Sequence, residues 1–111
     1  MLDVRSYIKN NVKPKKSMAV KDVVRIISDF YNIKEESIYE KTRHKEVIRP
    51  RQIIMYVLRE DLNISYPSIG QKLGGRDHTT VIHSCEKIKR DLKEDQGLLE
   101  ELTQIRALLA V

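Results

Sequence analysis

Apolar residues recur at the spacing of an amphipathic helix in the segment 17–32. Side chains three, four and seven positions apart lie on one face of an α-helix, and such a stripe packs against a core. Ser17 is the predicted N-cap, because its hydroxyl can accept a hydrogen bond from a free amide of the first turn, and Asn32 is the predicted stop. The stripe consists of Val20, Val23, Val24, Ile27, Phe30 and Tyr31.

Further helices are predicted along the rest of the chain. A short one lies in IKEESIYEK, with Ile33 and Ile38 facing inward. Pro50 suits the first turn of the next helix, because that position leaves its amide unbonded in any case. Gly97 is expected to separate the last helix from the one before it. The core-facing residues of these two long helices are Ile54, Val57, Leu58 and Leu62, and Leu98, Leu102, Ile105 and Leu109.

Two of the predicted helices form a helix-turn-helix arrangement, in which a tight turn containing glycine joins them. The first opens at Pro67 and ends at Gly74 and Gly75, which readily adopt the left-handed backbone that terminates a helix. Asp77 is the predicted N-cap of the second helix, which runs to about Asp95. No alternation of period two, typical of strands, occurs anywhere in the chain. The sequence therefore predicts a compact all-α domain of five to six helices.

The second helix of this pair has two distinct faces when it is drawn at about 100° per residue. The predicted buried face consists of Val81, Cys85, Ile88 and Leu92. The predicted exposed face consists of Thr79, Thr80, His83, Lys87 and Arg90. Hydroxyl and imidazole groups near a helix N-terminus can hydrogen-bond base edges, and cations further along can reach phosphates. Such a face is typical of a recognition helix that enters the major groove N-terminus first.

The net charge of +5 is concentrated in one segment of this 111-residue chain. Residues 41–59 contain six basic residues and one acidic residue, and the rest of the chain is balanced. Positive charge confined to one segment is typical of a surface that contacts a polyanion, and a solvated basic loop is the alternative. The scarcity of aromatic residues argues against stacking platforms for single-stranded nucleic acid.

Several features of the sequence indicate the cellular compartment. Cys85 is the only cysteine, so no internal disulfide forms, as suits a reducing cytoplasm. The longest apolar run, IIMYVL at 53–58, is far shorter than the ~20 residues that span a bilayer. The first residues are polar throughout and do not resemble a signal peptide. We therefore expect a cytoplasmic domain.

Three other kinds of site fit the sequence less well. His78, His83 and Cys85 lie close in sequence but project to different sides of one helix, which does not suit four-ligand zinc. Ser84 does not face His83, since neighbours on a helix point apart, so nucleophilic catalysis is not indicated. GQKLGG lacks the spacing of a P-loop, so a nucleotide-phosphate site is not indicated. We expect no enzyme. The remaining alternatives are a capped turn exposed to solvent and a helical module that binds an acidic protein or RNA.

Three segments carry a specific resemblance: RPRQIIMYVLRE at 49–60, YPSIGQKLGG at 66–75 and GGRDHTTVIHSCEKI at 74–88. Together they resemble the C-terminal DNA-binding domain of the bacterial chromosomal replication initiator DnaA, over about residues 17–110. The resemblance implies a Trp-repressor-like helix-turn-helix domain that binds double-stranded DnaA boxes, sites close to TTATNCACA, at the replication origin. A transcription regulator or transposase-like protein with the same fold is the alternative.

The resemblance also implies which residues contact DNA. In the minor groove, where AT-rich sequence concentrates negative potential, the base contact falls on Arg43. In the major groove the base contacts fall on Asp77, His78, Thr79, Thr80 and His83. The phosphate contacts fall on Arg51, Gln52, Arg59, Pro67, Arg76 and Lys87.

The ATP-binding domain of the family has no counterpart in this sequence, so no cofactor is expected for this chain. Residues 1–16 resemble the linker that follows the ATPase, and residues 17–111 are the predicted DNA-binding domain. The basic stretch KNNVKPKK in that linker implies a weak contact with acidic lipids. The other domains of the initiator are the further expected partners, and the isolated domain is expected to be a monomer.

Overall fold

The computed structural model describes residues 18–41 and 43–110, and these residues form six α-helices with no strand among them. The helices are α1 (Val20–Phe30), α2 (Glu35–Tyr39), α3 (Lys45–Glu60), α4 (Tyr66–Lys72), α5 (His78–Asp91) and α6 (Gln96–Leu109). The prediction of an all-α fold of five to six helices is confirmed.

A single hydrophobic core joins the six helices. Helix α3 is central, because it packs against α1, α2, α4 and α5, while α6 packs against α1. Side chains that are 0 % exposed come from α1 to α6: Val23, Val24, Ile27, Ile38, Ile54, Val57, Leu58, Ile69, Val81, Ile88 and Ile105. The apolar stripes predicted for the two long helices are all buried. In the stripe predicted for α1, Val20, Phe30 and Tyr31 are only half-buried at its two ends.

The start predicted for α3 is wrong. The helix begins at Lys45 with His44 at its N-cap, so Pro50 lies inside the helix and not in its first turn. A proline there removes the amide that would bond the carbonyl four residues earlier. Val47 and Pro50 are both buried in the core. Burial of these two side chains favours continuing the helix despite the missing hydrogen bond.

The start of α1 also differs from the prediction. The helix begins at Val20 with Ala19 at its N-cap, and Ser17, the predicted cap, lies outside the described residues. Ala19 has no side-chain oxygen to offer the first turn. The carboxylate of Asp22 instead reaches back and accepts a hydrogen bond from the backbone amide of Ala19 at 3.3 Å. An acidic side chain in the first turn also interacts favourably with the helix dipole.

The boundary between the last two helices is shifted from the prediction. Helix α5 ends at Asp91, not near Asp95, and Gly97 is the second residue of α6 and does not separate the helices. Asp95 is the N-cap of α6, because its carboxylate accepts a hydrogen bond from the amide of Leu98 at 3.0 Å. Capping by an aspartate outweighs the low helix propensity of the glycine that follows.

The turn between α4 and α5 packs directly against the end of α2. Gly74 and Gly75 have φ values of 92° and 75°, so the left-handed backbone predicted for them is confirmed. A Cβ atom added at Gly74 would collide with the carbonyl oxygen of Tyr39, whereas one added at Gly75 would meet open space. Gly74 is therefore constrained both by its backbone conformation and by its neighbour.

The two glycines predict a graded loss of stability. In Gly75→Ala only the left-handed backbone opposes the change, and we expect the free energy of unfolding to fall by about 1–2 kcal/mol. In Gly74→Ala the collision with Tyr39 is added, so the loss should be about 1–3 kcal/mol larger. Urea denaturation of the two variants measures both values. Equal losses in the two variants would show that the contact with Tyr39 contributes nothing.

Candidate nucleic-acid interface

The first turn of α5 can carry polar side chains because the residue before it caps the helix. Asp77 is the N-cap, and one of its carboxylate oxygens accepts a hydrogen bond from the amide of Thr79 at 3.4 Å, as predicted. The same oxygen lies 3.4 Å from Nδ1 of His78. A capped N-terminus satisfies an amide that the helix itself leaves free, so the side chains of the first turn are not needed for this purpose.

The two faces predicted for α5 are present in the structure. On one face Val81 and Ile88 are 0 % exposed and Cys85 is buried, while Leu92 is half-buried at the end of the helix. The opposite face is exposed and carries Thr79, Thr80, His83, Lys87 and Arg90. His78 is also exposed, with 56 % of its side chain accessible. We call His78, Thr79, Thr80 and His83 the reading face.

The buried side of α5 does not support a nucleophile or a metal centre. Burial, with smaller effects of nearby charges, raises the pKa of the Cys85 thiol to about 11. The thiol is therefore protonated at neutral pH and has the character of an apolar core group. Among the described residues no group of three or more His, Cys, Asp or Glu side chains is placed to hold a metal ion.

Three of the predicted DNA contacts lie on other elements and reach the surface. Arg43 is exposed in the segment between α2 and α3. Gln52 is half-buried on α3, and Pro67 is exposed in the first turn of α4. Ser65 caps α4 by accepting a hydrogen bond from the amide of Ser68 at 3.3 Å.

Arg59 lies in the last turn of α3 and is half-buried. Its guanidinium carbon lies 4.4 Å from the centre of the Tyr66 ring, and one of its nitrogens donates to the carbonyl of Ile64 at 3.3 Å. Stacking on an aromatic ring is a favourable arrangement for a guanidinium. Arg59 therefore connects α3 to the start of α4 within the domain, in addition to the phosphate contact expected of it.

The phosphate contact expected of Arg51 does not fit its position. Arg51 is only 7 % exposed. Its Nε donates to the carbonyl of Ile38 at 3.1 Å, and its Nη2 donates to the carbonyls of Ser37 and Glu40, both at 3.0 Å. Burial, and then the charge of Arg76, lower the pKa of this guanidinium. Arg51 therefore binds the C-terminal end of α2, a role that no local sequence pattern indicates.

Arg76 in the α4–α5 turn binds two of the same carbonyls. Its Nε donates to the carbonyl of Leu73 at 3.0 Å, and its Nη2 donates to the carbonyls of Ile38, at 3.3 Å, and Glu40. The side chain is half-buried, and burial lowers its pKa. Most of the hydrogen-bonding capacity of Arg76 is thus directed toward the protein, which weakens the case for a phosphate contact.

Lys87 belongs to a small charged cluster between α3 and α5. Asp91 lies 3.3 Å from Nζ of Lys87 and 3.0 Å from Nη1 of Arg49. Burial acts to raise the pKa of Asp91, but its contacts with Arg49 and Lys87 outweigh burial and hold the pKa below its usual value. The sequence indicated Arg49 only as a member of the basic segment 41–59 and did not indicate its pairing with Asp91, because only the packing of α3 against α5 brings the two together.

A comparison with protein families agrees with this geometry. The family model described as bacterial dnaA protein helix-turn-helix matches residues 20–88, which include α1 to α4 and most of α5. The chain belongs to this family. The matched region includes the reading face, the glycine turn and the basic segment 41–59. The domain is therefore a DNA-binding helix-turn-helix domain of the kind found in replication initiation.

Helix α6 lies outside the matched region and is joined to the rest of the domain by polar contacts. Arg106 forms a pair of hydrogen bonds with the carboxylate of Asp61, at 2.9 and 3.0 Å, next to the end of α3. The hydroxyl of Tyr31, which follows α1, donates to Glu101 at 2.8 Å. In the part of the chain that the structure describes, no helix is long and apolar enough to cross a membrane.

The charged cluster predicts a variant that binds DNA more tightly. In Asp91→Asn the acid that neutralises Arg49 and Lys87 is lost, so both cations are free to attract phosphates. We expect affinity for duplex DNA to rise about two- to fivefold at low salt and to fall more steeply with added salt. Fluorescence anisotropy over a salt series measures both effects.

Glu94→Gln is the matched control for Asp91→Asn, because Glu94 is an exposed acid three residues further along the chain. Both substitutions remove one negative charge from the same end of α5. If the local ion pairs matter, the gain is larger for Asp91→Asn. A gain of the same size in the two variants would contradict a specific restraint of Arg49 and Lys87 by Asp91.

Proposed function

We propose that this domain recognises DnaA boxes in the duplex DNA of a replication origin, as the DNA-binding part of a replication initiator. The observation that carries the proposal is the two-sided structure of α5. Its first turn is capped by Asp77 and exposes hydrogen-bonding side chains, while Val81 and Ile88 fix its other side in the core. A rigid helix with a polar exposed N-terminus suits the major groove, where each base pair presents a distinct pattern of donors and acceptors.

The reading face has the chemistry that base recognition requires. The hydroxyls of Thr79 and Thr80 can donate or accept a hydrogen bond at a base edge, and their methyl groups can pack on the methyl of thymine. The imidazoles of His78 and His83 can donate to the acceptors of guanine. Asp77 completes this set at the N-cap, where one of its carboxylate oxygens accepts from Thr79. Arg43 supplies the proposed minor-groove contact from the segment before α3.

Residues around the reading face supply the proposed phosphate contacts. Lys87 lies two turns further along α5, 46 % of its side chain is exposed, and it can release Asp91 when a phosphate is near. Gln52 and Arg59 on α3, with the exposed first turn of α4 at Pro67, complete the set. Contacts of this kind fix the register of the protein on the duplex, whereas the base contacts select the sequence.

The same geometry favours DNA over double-stranded RNA. The major groove of an A-form duplex is deep and narrow, so a helix that presents side chains from its first turn does not reach the base edges. The scarcity of aromatic residues gives no platform for unpaired bases. Membership of the DnaA family favours a replication initiator over the transcription regulator or transposase-like protein that the fold alone would permit.

Substitution of the reading face should change sequence preference more than total binding. We expect His78→Ala and Thr79→Ala each to reduce affinity for a box-containing duplex by about 1–3 kcal/mol, with little change for a scrambled duplex. Lys87→Ala should weaken binding to both duplexes by similar factors, because a phosphate contact does not depend on sequence. Fluorescence anisotropy titrations with the two duplexes measure these differences.

Thr103→Ala is the matched control for Thr79→Ala. Thr103 is an exposed threonine on α6, and its hydroxyl donates to the carbonyl of Leu99 at 2.9 Å. This substitution should leave both affinities unchanged. If His78→Ala and Thr79→Ala prefer the box by the same margin as the original domain, the proposed base contacts are wrong.

A further inference from the structure

Two arginines from different elements converge on the end of α2. The carbonyls of Ile38 and Glu40 each accept hydrogen bonds from both Arg51 and Arg76, and the carbonyl of Ser37 accepts one from Arg51. We call the carbonyls of Ser37, Ile38 and Glu40 the carbonyl cluster. Arg51 comes from the middle of α3, and Arg76 comes from the α4–α5 turn.

Placing two arginines at the end of α2 has both stabilising and destabilising effects. The C-terminal end of a helix leaves carbonyls without intrahelical partners and carries partial negative charge, so cations are stabilising there. Placing two guanidinium groups on the same carbonyls is opposed by burial and by their mutual repulsion. The pKa of each is lowered by burial, and that of Arg51 also by the charge of Arg76.

The carbonyl cluster lies between the two proposed DNA-reading elements. Arg43 is three residues after Glu40, in the segment that leads into α3, and Arg76 directly precedes Asp77, the cap of α5. Gly74 in the same turn lies against the carbonyl of Tyr39. The end of α2, three residues before Arg43, is therefore tied to the turn that starts the recognition helix.

We propose that Arg76, supported by Arg51, is a positioning residue that fixes where Arg43 lies relative to the reading face. Reading of the minor groove by Arg43 and of the major groove by α5 then depends on the contacts that hold the end of α2 to the α4–α5 turn. This inference rests on the proposed function, because it concerns how two sets of base contacts act together. It replaces direct contact of Arg51 and Arg76 with phosphates, since Nε and Nη2 of both side chains donate to carbonyls of the protein.

A double-mutant cycle separates the two roles of Arg76. The variants are Arg43→Ala, Arg76→Gln and the double variant, each titrated with a box-containing duplex and a scrambled duplex. If Arg76 positions Arg43, Arg76→Gln weakens box binding about tenfold in the original chain and about twofold or less in the Arg43→Ala background. If Arg76 binds a phosphate directly, the loss is the same in both backgrounds, and the inference is wrong.

Arg76→Lys is a second test of whether Arg76 contacts a phosphate directly. Lysine keeps the positive charge, so it would preserve a simple phosphate contact, but it cannot bridge several carbonyls as the planar guanidinium does. We expect Arg76→Lys to lose box affinity nearly as much as Arg76→Gln, with the salt dependence unchanged. Restored affinity in Arg76→Lys would overturn the inference. Thermal unfolding of each variant confirms that the domain is folded at the temperature of titration.

Arg25→Gln is the matched control for the loss of one arginine charge, because Arg25 is exposed on α1, where it pairs with Asp22. It should leave the preference for the box unchanged. The inference and the proposed function fail in different ways. If Arg43→Ala has no effect while His78→Ala still relaxes preference, the positioning inference is wrong and base reading by α5 stands. If neither substitution alters preference, the proposed function itself is wrong.

Discussion

The close approach of Gly74 to the backbone of Tyr39 is the constraint on which the arrangement of the helix-turn-helix depends. The carbonyl oxygen of Tyr39 can lie against residue 74 only because glycine has no Cβ atom there. Once they meet, Arg76 lies within reach of the carbonyls of Ile38 and Glu40. The short helix α2 is thereby attached to the turn, and the direction in which α5 leaves the turn is set.

Helix α5 combines two requirements that a single helix face cannot meet. Its buried side must pack against α3 and α4 so that the helix has one position, and Val81 and Ile88 provide that packing. Its first turn must keep polar side chains free for a ligand. The cap by Asp77 reconciles the two, because the helix N-terminus is satisfied without using the side chains of Thr79 or Thr80.

Periodicity in the sequence was sufficient to predict an all-α fold of five to six helices, because each stripe of apolar residues marks the buried face of one helix. Boundaries were less predictable where two local preferences compete. Pro50 favours a helix start, but burial of Val47 extends α3 beyond it. Gly97 favours a break, but the cap by Asp95 places the start of α6 before it.

The sequence likewise predicts one part of the candidate site and not the other. The cap and the exposure of Thr79, Thr80 and His83 follow from residues adjacent on one helix, so the sequence was sufficient to place them, whereas His78 was not part of the predicted exposed face. The binding of Arg51 to carbonyls of α2, and the pairing of Arg49 with Asp91, depend on contacts between distant segments. A basic segment in the sequence indicates how much charge is present. It does not indicate which guanidinium groups form hydrogen bonds within the protein, as Arg51 does.

We propose that the polar, capped N-terminus of α5 reads the sequence of duplex DNA. The most direct test of this proposal is a titration of the domain, at one fixed salt concentration, with a duplex carrying one DnaA box, a scrambled duplex of the same composition and a hairpin RNA. Specific duplex binding exceeds non-specific binding by about a thousandfold or more in typical cases. We predict a clear preference for the box duplex over the other two. Equal affinity for all three would contradict the account.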